Sequence, residues 1–585
     1  MRTQYPRTPH LPWSPGATGD DLRTGDLSGL LGREVVVTEK LDGENTTLYR
    51  DGLHARSVDS AHHPSRTWVK ALQGRIGRTV PPGWRICGEN LYARHSLAYR
   101  ELPGYFFGFS VWDEQNTCLD WDLTVSWLSE RGIPTPAVLW RGVLDQRAVR
   151  ELRALRLDLE LREGYVVRTV AGFGRAEFGQ RVAKWVRPNH VQTATHWMHS
   201  QVVPNELGTS AALWSVRSGG PAEAGQLLAA LGEPEAPAED PGITDRLDLL
   251  GRTGDARLAG VLAALLHGGH RGRLAGRLSG VLGVPLARRV ADLVGLHGKL
   301  LLPHPDQDRR AGLGRLALAA DLGVLHAVAA AVAAGPAGTA QEREQVEWSA
   351  LLAEEAGLLG ADPFAELRTE LADAFSGLST DAADRCWAQA REAFALGRIG
   401  SAAEAVAATW RRRDGAFPRL VQLVGPSGSG KSSYARTLPA SAVRISLDDL
   451  REARGDRADQ RGGGELLALA LDRLDSELAA GATVLWDATS LTPQQRSKAR
   501  AIAARRDALT TQVVALVPEE ELVRRNAVRE HPVPADVLAA QLRRFAPPYP
   551  GQAHRTWYLD ADGAVADRAD TLWAADRPRP AAREA

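Results

Sequence analysis

The octapeptide Gly425-Pro426-Ser427-Gly428-Ser429-Gly430-Lys431-Ser432 constrains this chain more than any other stretch. The apolar run Arg419–Val424, RLVQLV, leads into it, and a helical stretch, SSYARTL, follows. GxxxxGKS between a strand and a helix is the context of a phosphate-binding loop. The glycines let backbone N–H groups converge on phosphate oxygens, and the following helix N-terminus adds its dipole. Lys431 can neutralise β and γ phosphates, and Ser432 can ligate Mg²⁺.

A chain of 585 residues is too long for one hydrophobic core. Residues 1–205 hold most aromatics and short β-like runs (Glu34–Val37, Thr46–Arg50, Tyr105–Trp112, Gly164–Thr169, Arg181–Val186). This predicts an N-terminal α+β domain. Residues 206–415 are rich in Ala and Leu at three- and four-residue spacing, as in Arg257–His267 and Arg315–Ala334, which predicts an all-α domain. Gly232–Pro241 and Gly335–Gly338 read as loops within it. Residues 416–585 alternate strands and helices, which predicts an α/β domain with a parallel sheet. Lys plus Arg is 71 and Asp plus Glu is 71, so any nucleic-acid site must be a local patch. The three cysteines lack CxxC spacing, which argues against a zinc or disulfide framework. With no apolar leader at MRTQYPRTPH and no long apolar run, the expectation is a soluble, cytoplasmic protein, away from membranes.

Two carboxylate-bearing elements follow the loop. Asp448, Asp449 and Arg451 lie just past one strand-like run, and Asp487 ends another, Thr483–Asp487. Ligands of open α/β sheets sit beyond the carboxyl ends of the strands, so these carboxylates should face the phosphates. Further on, Arg525 and Arg529 are four apart, which on a helix means one face. Such a pair can clamp phosphate; taken alone it reads better as a solvated basic face. Together these residues resemble the 5′-polynucleotide kinase family over about residues 419–550. The resemblance implies nucleotide binding by Gly425, Ser427, Gly428, Ser429, Gly430, Lys431, Ser432, Arg525 and Arg529, with Ser432 on the metal. It makes Asp448 the general base and Arg451 an acceptor-binding catalytic residue, with Asp487 also at the acceptor. Leu559-Asp560-Ala561-Asp562-Gly563 is similar to the DxDG loop of haloacid-dehalogenase phosphatases. With 22 residues after it, it reads instead as a turn after a terminal strand.

Near the start, Lys40-Leu41-Asp42-Gly43 stands between two strand-like runs. As a tetrapeptide it reads equally as a strand-end lysine beside a turn. The downstream series decides: Arg56 after a strand, Glu89 after Ile86-Cys87-Gly88, Phe107 and Phe109 on one strand face, Glu163-Gly164, and Lys184 with Arg187. In this order the elements resemble the covalent nucleotidyltransferases, ligases and capping enzymes, over about residues 34–190. The resemblance makes Lys40 the nucleophile that attacks the α-phosphate of ATP to form lysyl-AMP. A lysine so used must lose its proton, through a depressed pKa or a neighbouring cation. Asp42 and Gly43 complete the motif at the ATP site. Arg56 is implied on phosphate, Glu89 on ribose, Phe109 on adenine, Glu163 on metal and Lys184 on the α-phosphate. Two departures stand out: Lys184-Trp185-Val186-Arg187 in place of KxK, and Ser110 where many relatives have Asp.

KLDGEN, HARS and EGYVVR look most like RNA ligases, and the following segment is helical rather than β-rich as in DNA ligases and capping enzymes. The combination implies a bifunctional RNA end-repair enzyme using ATP and Mg²⁺ or Mn²⁺. It would phosphorylate 5′-OH ends, then seal 5′-phosphate to 3′-OH, with RNA (cleaved tRNA among the candidates) as partner. The alternatives are a DNA end-repair kinase-ligase, a nucleotide-sensing NTPase with a non-catalytic ligase-like domain, and a small-metabolite kinase for the C-terminal part. The middle helices resemble HD-type phosphohydrolases, but His267 is followed by Gly268 where that family has Asp. The expectation is a degenerate, scaffolding domain with no metal ligand to nominate.

Overall fold

The computed structural model describes residues 2–60, 62–188, 201–233, 242–453, 463–529 and 532–573. The chain packs as two compact units, residues 1–240 with 251–258, and residues 241–250 with 259–585. Each carries its own sheets and core.

The first unit is built on two antiparallel sheets. Its strands are β1 (Glu34–Lys40), β2 (Glu44–Tyr49), β3 (Gly52–Ala55), β4 (Arg85–Asn90), β5 (Phe106–Trp112), β6 (Thr117–Cys118), β7 (Val138–Val143), β8 (Gly164–Thr169), β9 (Phe173–Gly174) and β10 (Val182–Val186). One sheet runs β10-β8-β1-β7 and the other β3-β2-β4-β5-β6-β9. Only three residues, Leu41 to Gly43, separate β1 of one sheet from β2 of the other. Lys40 therefore sits where the chain passes between sheets. The run Val35-Val36-Val37 is fully buried, as a central strand covered on both faces requires. Behind the second sheet, the helix Thr67–Ile76 buries Val69, Leu72 and Ile76, at the spacing of one helical face.

Strand β5 departs from simple alternation. Phe106 and Val111, five residues apart, share one core cluster, which a strict period of two forbids. The pairing of β4 with β5 shifts between Cys87 and Gly88, whose partners are Ser110 and Gly108. Phe109 is the extra residue of this bulge, and both Phe109 and Ser110 turn to the same cavity.

In the second unit, β11 (Arg419–Val424), β12 (Val443–Ser446), β13 (Thr483–Asp487), β14 (Leu509–Ala515), β15 (Arg555–Leu559) and β16 (Val565–Ala569) form one sheet, in the order β12-β13-β11-β14-β15-β16. Five strands are parallel, and only β16 is antiparallel. The expected turn after β15 is present at 560–564, but β15 is not terminal, because β16 returns beside it. Gln422 and Gln512 are fully buried on neighbouring strands, and Gln512 Nε2 donates to Gln422 Oε1 at 3.0 Å.

Helices fill the middle of the chain, with two differences from expectation. The periodic stretch Arg315–Ala334 is not one helix. It breaks at Ala320, and Asp321 caps a new helix, Leu322–Ala334, by accepting from the Val324 amide at 3.1 Å. The two helices meet at 110°. Of the Gly232–Pro241 loop, residues 234–241 lie outside the described residues. Among the described residues no single helix is long and apolar enough to cross a membrane.

The helix Arg271–Leu282 lies against the P-loop-bearing fold at two glycines one turn apart. A Cβ on Gly272 would stand 2.0 Å from the Phe545 carbonyl oxygen, and one on Gly276 2.5 Å from that of Val517. Glycine is what lets the backbones approach this closely. Beside it, Asp292 is buried and accepts from Arg271 and Arg288, at 2.5 and 3.1 Å. Arg288 also reaches Asp567 of β16 at 2.8 Å. Removing the shared acceptor would leave Arg271 with only the Pro547 and Pro548 carbonyls and Arg288 with only Asp567, two buried guanidinium groups each short of an acceptor. Asp292→Ala is expected to destabilise the second unit by about 3–5 kcal/mol, read as a lower urea midpoint, and Asp292→Asn by less because it retains one acceptor.

Candidate functional site

In the first unit, strand register assembles residues distant in sequence. Lys40 of β1 pairs opposite Gly164 of β8, which brings Glu163 alongside it. Lys184 of β10 pairs with Val166 of the same strand, and Asn45 of β2 pairs with Glu89 of β4. The result is a cavity of about 190 Å³ lined by Lys40, Arg56, Glu89, Phe109 and Lys184, among others. Lys40 Nζ donates to Glu163 Oε2 at 2.5 Å. Burial alone would lower the Lys40 pKa, but the carboxylates of Glu163, Glu89 and Asp42 outweigh it and hold the amine above its ordinary value. The depressed pKa expected for a nucleophile is thus not a property of this state. Burial pushes Glu89 up to about 8, against the pull of Lys40. Lys184 is lowered by burial and then by the charge of Lys40.

Three residues of the expected set do not line this cavity. Asp42 Oδ2 accepts from the Ser96 amide and hydroxyl and from the Leu97 amide, at 2.7–2.8 Å, so it fixes the 96–97 loop. Gly43 packs against the Asn90 carbonyl, 2.6 Å from where its Cβ would be. Glu163 is buried behind Lys40. Arg187 is also turned away, its guanidinium donating to the Leu159 carbonyl. Two lining features escaped the sequence reading: Arg168, held by the Leu119 carbonyl at 2.9 Å, and the segment Tyr5–Thr8. Arg168 ends the EGYVVR motif but was given no role from it, and no motif marks the segment Tyr5–Thr8.

In the second unit, β11 runs into the loop Gly425–Ser432, in which Gly428 and Gly430 adopt φ of 82° and 91°, open to glycine at little cost. The helix after it, Lys431–Ala435, has only five residues, so its dipole is short. Lys431 is buried, and its Nζ donates to the Gly425 and Pro426 carbonyls at 2.8 and 2.6 Å. Burial lowers its pKa to about 8; Asp487 and Asp448 oppose that shift and Arg529 adds to it. The Ser432 side is exposed, and the Ser429 hydroxyl is buried without a hydrogen-bond partner. The Ser427 amide donates to Gln541 Oε1 at 2.8 Å.

Ser446 caps the helix Leu447–Glu452, which carries Asp448 and Arg451. These two pair at 2.6 Å. Asp487, at the end of β13, pairs with Arg444 of β12 at 2.6 Å, and Arg444 also holds Asp449 at 2.9 Å. Arg444 is a basic residue at this site that the sequence reading missed. Arg525 donates to Glu521 at 2.5 Å and to the Ala561 carbonyl at 2.7 Å. Hydrogen bonds from Arg524 and Arg525 pull Glu521 down to about 2. The one-face argument for Arg525 and Arg529 fails, because the helix Glu519–Ala527 ends before Arg529. Arg529 is exposed, yet its charge reaches Lys431.

In the middle segment His267 and His297 stand with rings 6.2 Å apart, and each Nδ1 is bound to a carbonyl three residues back, of Ala264 and Val294. They close the ends of their own helices. Among the described residues no group of three or more His, Cys, Asp or Glu is placed to hold a metal. Mg²⁺ bound with a nucleotide is usually held by phosphate oxygens plus one or two protein oxygens. Glu163 and Ser432 have the chemistry for that.

Residues 33–186 match the family model for RNA ligase, and residues 420–548 that for an AAA domain. Residues 187–419 lie outside both, and the HD likeness of the middle helices gains no support from them. No curated protein matches. Solved structures with partial likeness include a Pnkp1/Rnl/Hen1 RNA repair complex (22% identity, 23% of this chain, 49% of that chain, TM-score 0.21). Others are a mutant Naegleria gruberi RNA ligase with ATP and Mn (18%, 27%, 51%, 0.20) and an archaeal ATP-dependent RNA ligase (14%, 39%, 52%, 0.22). The chain thus spans about half the length of each of these, and TM-scores this low carry no inference about activity. The family matches thus put two likenesses on one chain, to RNA ligase over residues 33–186 and to an AAA domain over residues 420–548.

Proposed function

We propose that this protein is an ATP-dependent RNA ligase and 5′-hydroxyl kinase that heals and seals RNA ends, with domains at 1–205, 206–415 and 416–585. The observation that carries the reading is a lysine in each of two sites suited to phosphate, Lys40 half-buried and Lys431 buried. Lys40 lies in a cavity with Arg56, Glu89, Phe109 and Lys184, and Lys431 lies in a glycine-rich loop after a parallel strand.

In the first site Lys40 Nζ attacks the α-phosphorus of ATP, the bond to pyrophosphate breaks, and lysyl-AMP results. Glu163 Oε2, 2.5 Å away, is the nearest acceptor for the departing proton. Arg56 and Lys184 meet the negative charge that develops on phosphate, Phe109 offers its ring to adenine, and Glu89 reaches the ribose. AMP then passes to an RNA 5′-phosphate, and a 3′-hydroxyl displaces it. A metal bound with the help of Glu163 would supply charge neutralisation.

In the second site Lys431 leaves its own loop carbonyls for the β and γ phosphates. Asp448 takes the proton of the 5′-hydroxyl as it attacks the γ-phosphorus and ADP leaves. Arg451 holds the acceptor, and Arg525 with Arg529 holds the transferring group. Asp487 stands at the acceptor side, steadied by Arg444 at 2.6 Å. The ends made here are the ends that the first site consumes.

Incubation with α-labelled ATP and Mg²⁺ or Mn²⁺ should leave label on the protein through denaturing electrophoresis. Lys40→Ala should abolish it while sparing phosphorylation of 5′-OH RNA, and Lys431→Ala should do the reverse. Loss of both activities in either variant would overturn the two-site reading. DNA strands of the same sequence should be poorer acceptors, and equal or better use of DNA would replace the RNA assignment.

The charge of Lys431 gives a pH test. Its free amine titrates near 8, and bound phosphate favours the charged form. ATP binding should take up part of a proton at pH 8.5 and almost none at pH 6.5. Calorimetry in buffers of different ionisation enthalpy would show this, and the uptake lost in Lys431→Ala is the share that belongs to this lysine.

A further inference from the structure

The segment before the first strand lies outside the matched RNA ligase region, which begins at residue 33. It is nonetheless clamped along the nucleotide cavity. At one end the Tyr49 hydroxyl accepts from the Thr3 amide and donates to the Thr3 carbonyl, at 2.8 and 3.1 Å. Arg175 donates to the Gln4 carbonyl at 2.9 Å. At the other end the Lys184 amide donates to the Pro9 carbonyl and the Leu11 amide to the Lys184 carbonyl, at 2.9 and 2.8 Å. Between these anchors Tyr5, Pro6, Arg7 and Thr8 all line the cavity.

Tyr5 is aimed at the end of the cavity formed by Phe109. Its ring meets Phe109 edge-on at 5.2 Å and 66°, and Phe178 at 5.2 Å and 85°. Ser110, the other residue that the β5 bulge turns into the cavity, lines it together with Tyr5 and Phe109. Ser110 Oγ also accepts from the Trp112 indole N–H at 3.1 Å. A ring wall therefore adjoins a small polar edge made by Tyr5 and Ser110. Burial keeps the tyrosine hydroxyl protonated, so it remains able to donate.

We infer that the clamped segment Tyr5–Thr8 is the missing wall of the base pocket, and that Tyr5 with Ser110 determines which purine nucleotide the first site accepts. This rests on the proposed use of ATP at Lys40. The amino and oxo groups that separate adenine from guanine exchange a donor for an acceptor. A polar edge matched to one leaves the other with an unpaired buried group, and that is how such sites discriminate. The bulge and the clamp supply that edge together, from parts of the chain more than a hundred residues apart in the case of Tyr5 and Ser110.

The test follows label transfer to Lys40 from α-labelled ATP and GTP over a range of concentrations. Tyr5→Leu should raise the KM for ATP about tenfold, roughly what one well-packed aromatic contact contributes, keep the maximal rate, and narrow the ATP-over-GTP ratio. Tyr5→Phe, which restores the ring without the hydroxyl, should recover the KM for ATP but not the ratio. A misfolded variant would lose maximal rate instead, and Tyr5→Phe then decides through the ratio alone. Unchanged KM and ratio in both variants would overturn the inference. So would a fall in KM for Tyr5→Leu, since the ring would then be occupying the place of the base. Equilibrium binding of ATP and GTP in the Lys431→Ala background, which silences the second site, separates two failures. Absence of label from the wild type would sink the adenylylation reading, whereas a Tyr5-independent preference in binding would sink this one.

Discussion

The contact between Lys40 and Glu163 joins residues 123 positions apart, and it exists because β1 and β8 pair antiparallel in one register. A slip of one residue would turn Lys40 to the opposite face and separate the pair. The same register fixes β10, and with it Lys184, on the far side of β8. What holds the register is burial on both faces: Val35 and Val37 pack with Tyr165 and Val167 in one core while Val36 packs with Trp121 and Val170 on the other side, so a slip would exchange two different packings. The site's electrostatics follow. A lysine enclosed with carboxylates is kept charged despite burial, and an incoming triphosphate must compete with those carboxylates for it.

The second unit meets the same demand differently. Lys431 is buried with no carboxylate in hydrogen-bond contact, and its amine is held by carbonyls of its own loop. The nearby carboxylates are each paired with an arginine, Asp487 with Arg444 and Asp448 with Arg451. The loop is thus the side of the site richest in unspent positive character, which suits it to polyphosphate. The helix Arg271–Leu282 packs where the loops after β14 and before β15 pass, through the glycines at 272 and 276. In this unit the middle helices are therefore part of the support of the P-loop fold.

Much of this was legible in the chain. GxxxxGKS after RLVQLV fixes a strand, a turn with positive φ and a helix start, because few other backbones satisfy that pattern. KxDG, Glu89, Phe109 and Lys184 were recognisable by order, and the cavity gathers Lys40, Arg56, Glu89, Phe109 and Lys184. The misses share one cause, which is that they depend on neighbours distant in sequence. Arg529 falls beyond a helix whose end, at Ala527, no proline or glycine announces. Asp42 faces the 96–97 loop, a partner that no spacing reveals. Arg444 gains its place only from the pairing of β12 with β13.

Sequence by itself determined the local chemistry: where a backbone must bend around phosphate, which segments alternate as strands, and which lysines stand at strand ends or in glycine-rich loops. These are properties of a few adjacent residues, and short-range sterics and hydrogen bonding fix them. Tertiary structure alone decided which charges meet, how far each lysine is from an acid, and that a segment ahead of the first strand closes the cavity beside Phe109. Those outcomes depend on strand register, on the β5 bulge and on burial, which are set by the packing of the whole unit and not by any local stretch.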